Sequence, residues 1–177
     1  MMNEKIVLDY INKPITKDDP LGVCFVCLGN ICRSPTAEGV FQHLVDEQSL
    51  SDFIEIDSAG TAAYHIGEPA NSRSQRIANQ HGIELTSRGR QFKDSDLSYF
   101  DLILAMDIEN LSNVKSLPSY EANEQKVHLV RAFDPVQTNE EVPDPYFGGI
   151  DGFKNVFDVI HRSCTNLLEN LEPKIGK

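Results

Sequence analysis

The sequence predicts a single doubly wound α/β domain built on a parallel sheet. Three observations predict it. Short apolar, strand-like runs alternate with segments of helical period along most of the chain. The first run passes through a glycine-containing loop straight into a capped helix, as at the start of a βαβ unit. The 177 residues, 40% of them apolar and 24% charged, suffice for one core and no more.

The elements follow in order. Residues 1–21 hold a short Ile/Val/Leu patch, then Pro14 and Asp18-Asp19-Pro20. They read as an N-terminal extension outside the core, expected to be disordered, with a docked flap and a partner-binding arm as alternatives. Residues 22–177 form the domain. Residues 22–28 are a buried strand. Ser34 then offers a helix N-cap and Pro35 a proline at the first helical position, and Val40, Phe41, Leu44 and Val45 share one apolar face. Residues 54–58 alternate like a strand. Asn71 caps a helix that stops at Gly82, where glycine suits a left-handed ending. Residues 101–106 form a second fully buried strand, a short helix follows over 109–116, and 126–130 is the fourth strand. In the last helix Ile150, Phe153, Val156, Phe157, Ile160, Cys164, Leu167, Leu168 and Leu171 recur at helical spacing. Cys164 is therefore a core residue.

Charge narrows the function. Twenty-seven acidic against 16 basic side chains leave a formal charge of −11. A chain that acidic is poorly made to track a nucleic-acid backbone, so no nucleic-acid partner is expected. No apolar run approaches the roughly 20 residues of a membrane span, and the start lacks a signal-peptide core, so a cytoplasmic protein without a membrane partner is expected. The charge is uneven. Between residues 21 and 37 Arg33 is the only charged side chain, and 64–93 hold Arg73, Arg76, Arg88, Arg90 and Lys93 against Glu68 and Glu84.

Cys24, Cys27 and Cys32 crowd into nine residues, a poor layout for stapling a fold and one that fits functional thiols in a reducing compartment. Cys24 and Cys27 have redox-motif spacing. On an extended strand, however, residues three apart point to opposite faces, and no histidine nearby completes a zinc set. No metal or cofactor is expected.

The loop Cys27-Leu28-Gly29-Asn30-Ile31-Cys32-Arg33-Ser34 carries the chemistry. A loop entering a helix N-terminus offers unpaired N–H groups and the positive end of a dipole, which together bind an oxyanion. Gly29 and Asn30 tolerate the left-handed conformations that curl such amides inward. A cysteine at the base of the nest is expected to act as a thiolate. Arg33 presents a planar fork for two phosphate oxygens, and the Ser34 hydroxyl is placed to bond the sulfur. Attack on phosphorus also needs an acid for the leaving group, and Asp144, between two prolines and ahead of two glycines, is the candidate.

These motifs resemble the low-molecular-weight protein tyrosine phosphatases. The resemblance spans residues 22–171 and rests on VCLGNICRSPTAEGVF (26–41), DSAGTAAYHIGEP (57–69), HGIEL (81–85), FDLILAMDIENL (100–111) and VPDPYFGG (142–149). It implies a four-stranded parallel sheet with helices on both faces and a phosphate loop after the first strand. It also implies a phosphotyrosine or aryl phosphate substrate, a phosphocysteine intermediate on Cys27, a clamp from Arg33, and Asp144 as acid and then base. Asn30, Ser34 and Ser58 resemble the set that supports the loop, and residues 28–34 its phosphate-binding lining. Tyr64 and Tyr146 stand where the family has pocket walls, the alternative being ordinary surface tyrosines. Cys32 stands where the family often has a redox partner for the nucleophile, the alternative being a small buried side chain. A monomer or weak dimer is expected.

The chain departs from the family at Ser87 and Gly89, where histidine and alanine are usual, and at Phe147, where many members have a second tyrosine. Three rival functions remain. Arsenate reduction on the same fold wants further cysteines in mid-chain, and none occurs between Cys32 and Cys164. Phosphoarginine phosphatases tend to have a small threonine where Ile31 stands. A phosphate-binding module without turnover needs neither thiol nor acid.

Overall fold

The computed structural model describes residues 8–136 and 139–176. Its four strands, β1 (Leu21–Cys27), β2 (Ile54–Gly60), β3 (Leu102–Ala105) and β4 (Val127–Leu129), form one parallel sheet in the order β2-β1-β3-β4. The helices are α1 (Arg33–Glu47), α2 (Ser72–Gln80), α3 (Asp94–Tyr99), α4 (Ile108–Lys115) and α5 (Ile150–Leu171).

β1 is buried at every residue because both faces of the sheet are covered, hence its unbroken apolar run. The period of two sorts its side chains. Val23, Phe25 and Cys27 face the larger core with α1, α2 and α5, and Cys24 and Val26 face a smaller one with Leu97 of α3 and Val114 of α4. Cys24 and Cys27 thus lie on opposite faces, as their spacing on a strand requires. From β1 the chain moves to β2 on one side, then crosses to β3 on the other. The carboxyl end of β1 is therefore the switch point where ligands of open α/β sheets bind.

Several sequence expectations need correction. Ser34 is not the N-cap of α1. The helix begins at Arg33 with Cys32 at the cap and no side-chain cap bond, because the Ser34 hydroxyl is engaged by Cys27 and Asn30. The fourth strand is shorter than expected, since Lys126 and Val130 belong to 3-10 turns on either side of it. The six-residue α3 was not foreseen. Its sequence has no apolar period, and it is held by Asp96 accepting from the Lys93 amide at 2.7 Å and by buried Leu97. Asn71 does cap α2, accepting from the Arg73 amide, and Gly82 just beyond it has φ +75°.

The largest correction concerns the N-terminal extension. Residues 1–7 lie outside the described residues, but from Leu8 onward the segment is part of the fold. Leu8, Ile11 and Ile15 are buried in the larger core. The Tyr10 hydroxyl donates to the Asp101 carbonyl at 2.6 Å, and Lys13 pairs with Asp101 and Asp19. Ile15 pairs in parallel with Ile175, and the Gly176 amide donates to the Ile15 carbonyl. Pro14 and the Asp18-Asp19-Pro20 turn break periodicity, which hides from sequence reading that three apolar side chains are spaced to reach one surface. Ile15→Ala is expected to cost about 2–4 kcal/mol of stability in urea unfolding, as for other fully buried large-to-small changes. A loss near zero would mean that the segment does not dock.

Candidate active site

β1 ends at Cys27, and the loop to α1 turns back over the sheet's carboxyl edge. Asn30 is left-handed, with φ 57°, as its residue type allows. Gly29 is not; its lack of a side chain serves close packing instead, since a Cβ there would lie 2.9 Å from the His65 ring. Gly60 has the same function at the end of β2, where a Cβ would lie 2.6 Å from the Leu28 carbonyl. Backbone bonds from Thr61 to the Cys27 carbonyl and from Ala62 to the Leu28 carbonyl fix the loop's first half, and Asn71 donates to the Ile31 carbonyl in its second. The N–H groups of Gly29, Asn30, Ile31 and Cys32 donate to no other backbone or side-chain group among the described residues. The loop therefore presents amides available to an anion.

Asn30, Ser34 and Ser58 come together behind the loop. Asn30 Nδ2 donates to Ser34 Oγ at 2.8 Å and to Ser58 Oγ at 2.9 Å, while its Oδ1 accepts from the Arg90 amide at 3.0 Å. That last bond fixes the amide's orientation, because a backbone N–H can only donate. Ser34 Oγ lies 3.0 Å from Cys27 Sγ. Asn30 already donates to that oxygen, and the hydroxyl's one proton has two acceptors within reach, the sulfur at 3.0 Å and the Ala59 carbonyl at 3.4 Å.

Ser58 in turn donates to Glu38 Oε2 at 2.6 Å. Ser87, standing where the family has histidine, also bonds the Glu38 carboxylate, and burial raises that carboxyl above its ordinary range despite both hydroxyls. A cavity of about 260 Å³ opens beside Glu38 and Ser87. Gly89 is explained too: a Cβ there would collide with the His65 carbonyl.

Arg33 is 2% exposed and stands at the site's charged edge. Its Nη1 donates to Asp107 Oδ2 at 2.6 Å and to the Val142 carbonyl at 3.0 Å, and its Nη2 lies 3.6 Å from Asp144 Oδ2. Burial works against this cation, but the Cys27 sulfur and the two aspartates outweigh it and hold the guanidinium's pKa above its ordinary value. Asp107 escaped the sequence reading because it looks like a helix cap. It is one, accepting from the Asn110 amide through Oδ1, and its other oxygen orients Arg33.

Asp144 is 43% exposed and accepts from the Tyr146 amide at 3.0 Å. It shares a cleft of about 230 Å³ with Cys27, Arg33, Tyr64, Tyr146, Ile31 and Cys32. His65 and Phe147 complete the cleft and were not anticipated as lining. His65 pairs with Glu68 at 2.7 Å and packs between Tyr64 and Tyr146. Cys32 has a free thiol, as do the other three cysteines. Burial, with the neighbouring Cys27 sulfur and Asp144, pushes the Cys32 thiol up to about 12.

Parallel α/β sheets carry many anion loops at their switch points. One that sets a thiol at its base and an arginine at its helical end is the mark of a cysteine-dependent phosphatase. A family profile described as low molecular weight phosphotyrosine protein phosphatase matches residues 22–176. The chain is 41% identical over 155 residues to a low molecular weight protein-tyrosine-phosphatase of Streptomyces coelicolor, covering 86% of this chain and 94% of the relative. Among solved structures it is similar to a protein tyrosine phosphatase from Entamoeba histolytica, with TM-score 0.82 and 39% identity over 86% of this chain and 97% of that one. It is also similar to a Drosophila arginine phosphatase, with TM-score 0.79 and 33% identity over 85% and 97%. The chain belongs to the low molecular weight phosphotyrosine protein phosphatase family.

Proposed function

We propose that this protein hydrolyses phosphotyrosine and related aryl phosphates in two steps at Cys27. The observation that carries the reading is the convergence of Cys27, Arg33 and Asp144 on one cleft floored by a loop with free amides. In the first step the Cys27 sulfur attacks phosphorus and the bond from phosphorus to the phenolic oxygen breaks. The Asp144 carboxyl gives its proton to that oxygen. Loop amides and the Arg33 fork take the charge of the equatorial oxygens. In the second step water attacks the phosphocysteine, Asp144 takes its proton, and the sulfur leaves as thiolate, stabilised by the Ser34 hydroxyl.

Among the described residues, no helix is long and apolar enough to cross a membrane. Clustered free thiols suit a reducing compartment, so we place the enzyme in the cytoplasm, acting on phosphoproteins or small aryl phosphates.

The walls favour an aryl substrate over a phosphoguanidine. Ile31, Tyr64, Tyr146 and Phe147 surround the cleft with apolar and aromatic surface suited to a phenyl ring. Paired peptides of one sequence, bearing either phosphotyrosine or phosphoarginine, distinguish the two. The phosphotyrosyl peptide is expected to give a kcat/KM at least about tenfold higher, a difference of roughly 1.4 kcal/mol in transition-state binding. A preference for phosphoarginine would overturn the substrate assignment and leave the cysteine mechanism intact.

A further inference from the structure

We infer that Arg73 is a positioning residue for the acid step, acting through the loop that holds Asp144. The inference rests on the reading of Asp144 as the proton donor. Asp144 itself is weakly fixed, because its side chain is 43% exposed and lies 3.6 Å from Arg33. Its closest hydrogen-bond partner is the Tyr146 amide, two residues on. Beyond Asp144 only Pro145 is buried before α5 begins: Tyr146, Gly148 and Gly149 are exposed and Phe147 is 96% exposed. A segment so poor in apolar contacts needs another restraint.

Arg73 supplies one. It lies in the first turn of α2, whose cap at Asn71 is tied to the phosphate loop through the Ile31 carbonyl. From there its Nη1 donates to the Gly148 carbonyl at 2.6 Å and its Nη2 to the Tyr146 carbonyl at 3.0 Å. The guanidinium also sits 4.5 Å from the centre of the Phe153 ring in α5. One planar fork thus grips two carbonyls of the loop while stacked on a buried aromatic ring, a geometry lysine cannot reproduce. The effect is directional. Tyr146 uses its carbonyl for Arg73 and its amide for Asp144, so a loosened Arg73 frees the residue whose amide aims the carboxyl. Because the phosphate loop and α2 share a bond at Asn71, Arg73 also ties the Asp144 loop to the phosphate loop.

The test uses the full chain with Arg73→Met, Arg73→Lys, Asp144→Asn, and Arg73→Met combined with Asp144→Asn. Single-turnover release of the leaving group is followed across aryl phosphates whose phenols range from good to poor leaving groups. Arg73→Met is expected to slow phenyl phosphate about 10–30-fold and p-nitrophenyl phosphate under about threefold, since only the poorer leaving group depends on a well-aimed proton. Arg73→Lys should fall between. Competitive inhibition by inorganic phosphate should stay within about twofold of wild type, showing that the phosphate loop is intact. In the Asp144→Asn background, Arg73→Met should cost no more than about twofold further, as expected for residues acting as one unit.

Equal slowing of all substrates by Arg73→Met, or full multiplication of its cost in the Asp144→Asn background, would overturn the positioning role. If Asp144→Asn alone leaves the leaving-group dependence unchanged, the acid assignment itself fails and this inference goes with it.

Discussion

Cys27→Ser is expected to abolish turnover of aryl phosphates, with a loss of roughly 10⁵-fold or more in kcat, the scale on which removal of a nucleophile acts in other covalent enzymes. The reason is local. Serine is close in shape, and its oxygen would keep a partner in Ser34 Oγ, 3.0 Å from the sulfur it replaces. The loop should therefore hold its form and still bind phosphate. An alcohol at this position, however, is neither ionised near neutral pH nor a good leaving group in the second step. The variant should bind inorganic phosphate or a phosphotyrosyl peptide with near wild-type affinity while turning neither over. Measured in stopped-flow with p-nitrophenyl phosphate, residual activity near wild type would refute attack by Cys27.

Arg33→Lys should come next in size, lowering kcat by about 10²–10³-fold with a smaller change in KM, as for loss of a preorganised charge-stabilising donor. Both residues carry one positive charge, so the comparison isolates geometry. Arg33 spends Nη1 on Asp107 and the Val142 carbonyl and still keeps a second arm in the plane of the fork. Lysine would satisfy Asp107 as a point charge and have no second arm for the phosphoryl oxygens. The same bonds make Arg33 a structural tie between the phosphate loop, α4 and the acid loop. A thermal melt should accompany the kinetics. Equal activity in Arg33→Lys at unchanged stability would show that charge alone suffices.

What the sequence revealed and what it hid follow from how far apart the interacting residues lie. The strand of residues 21–27, the stripe of α5 and the loop of Cys27 to Ser34 are local patterns, so their period and residue types were readable. Asn30, Ser34 and Ser58 were placed by family resemblance, and the structure joins them in one hydrogen-bonded set. Asp107 and Arg73 were not recognised, because each looks complete locally: one as a helix cap, the other as a surface arginine in a helix. Only the folded chain brings them to Arg33 and to the Tyr146 carbonyl. The docked segment after Leu8 was misread for a related reason. Its apolar residues follow no regular period, and their burial depends on a surface made by the far end of the chain.

That docking sets where the molecule can be tethered. β1 runs from the segment at its base to Cys27 at its tip, and α5 returns over 22 residues, about 33 Å at the helical rise, from the acid loop to the turn beside Ile15. The N-terminal segment at Ile15 and the C-terminal turn at Ile175 and Gly176 are therefore bonded together at the rim opposite the cleft. Anything joined to either end pulls on that rim, and the mouth bordered by Tyr64 and Phe147 is left facing outward. A phosphate carried on a large folded partner can then be presented to the enzyme without that attachment standing in its path.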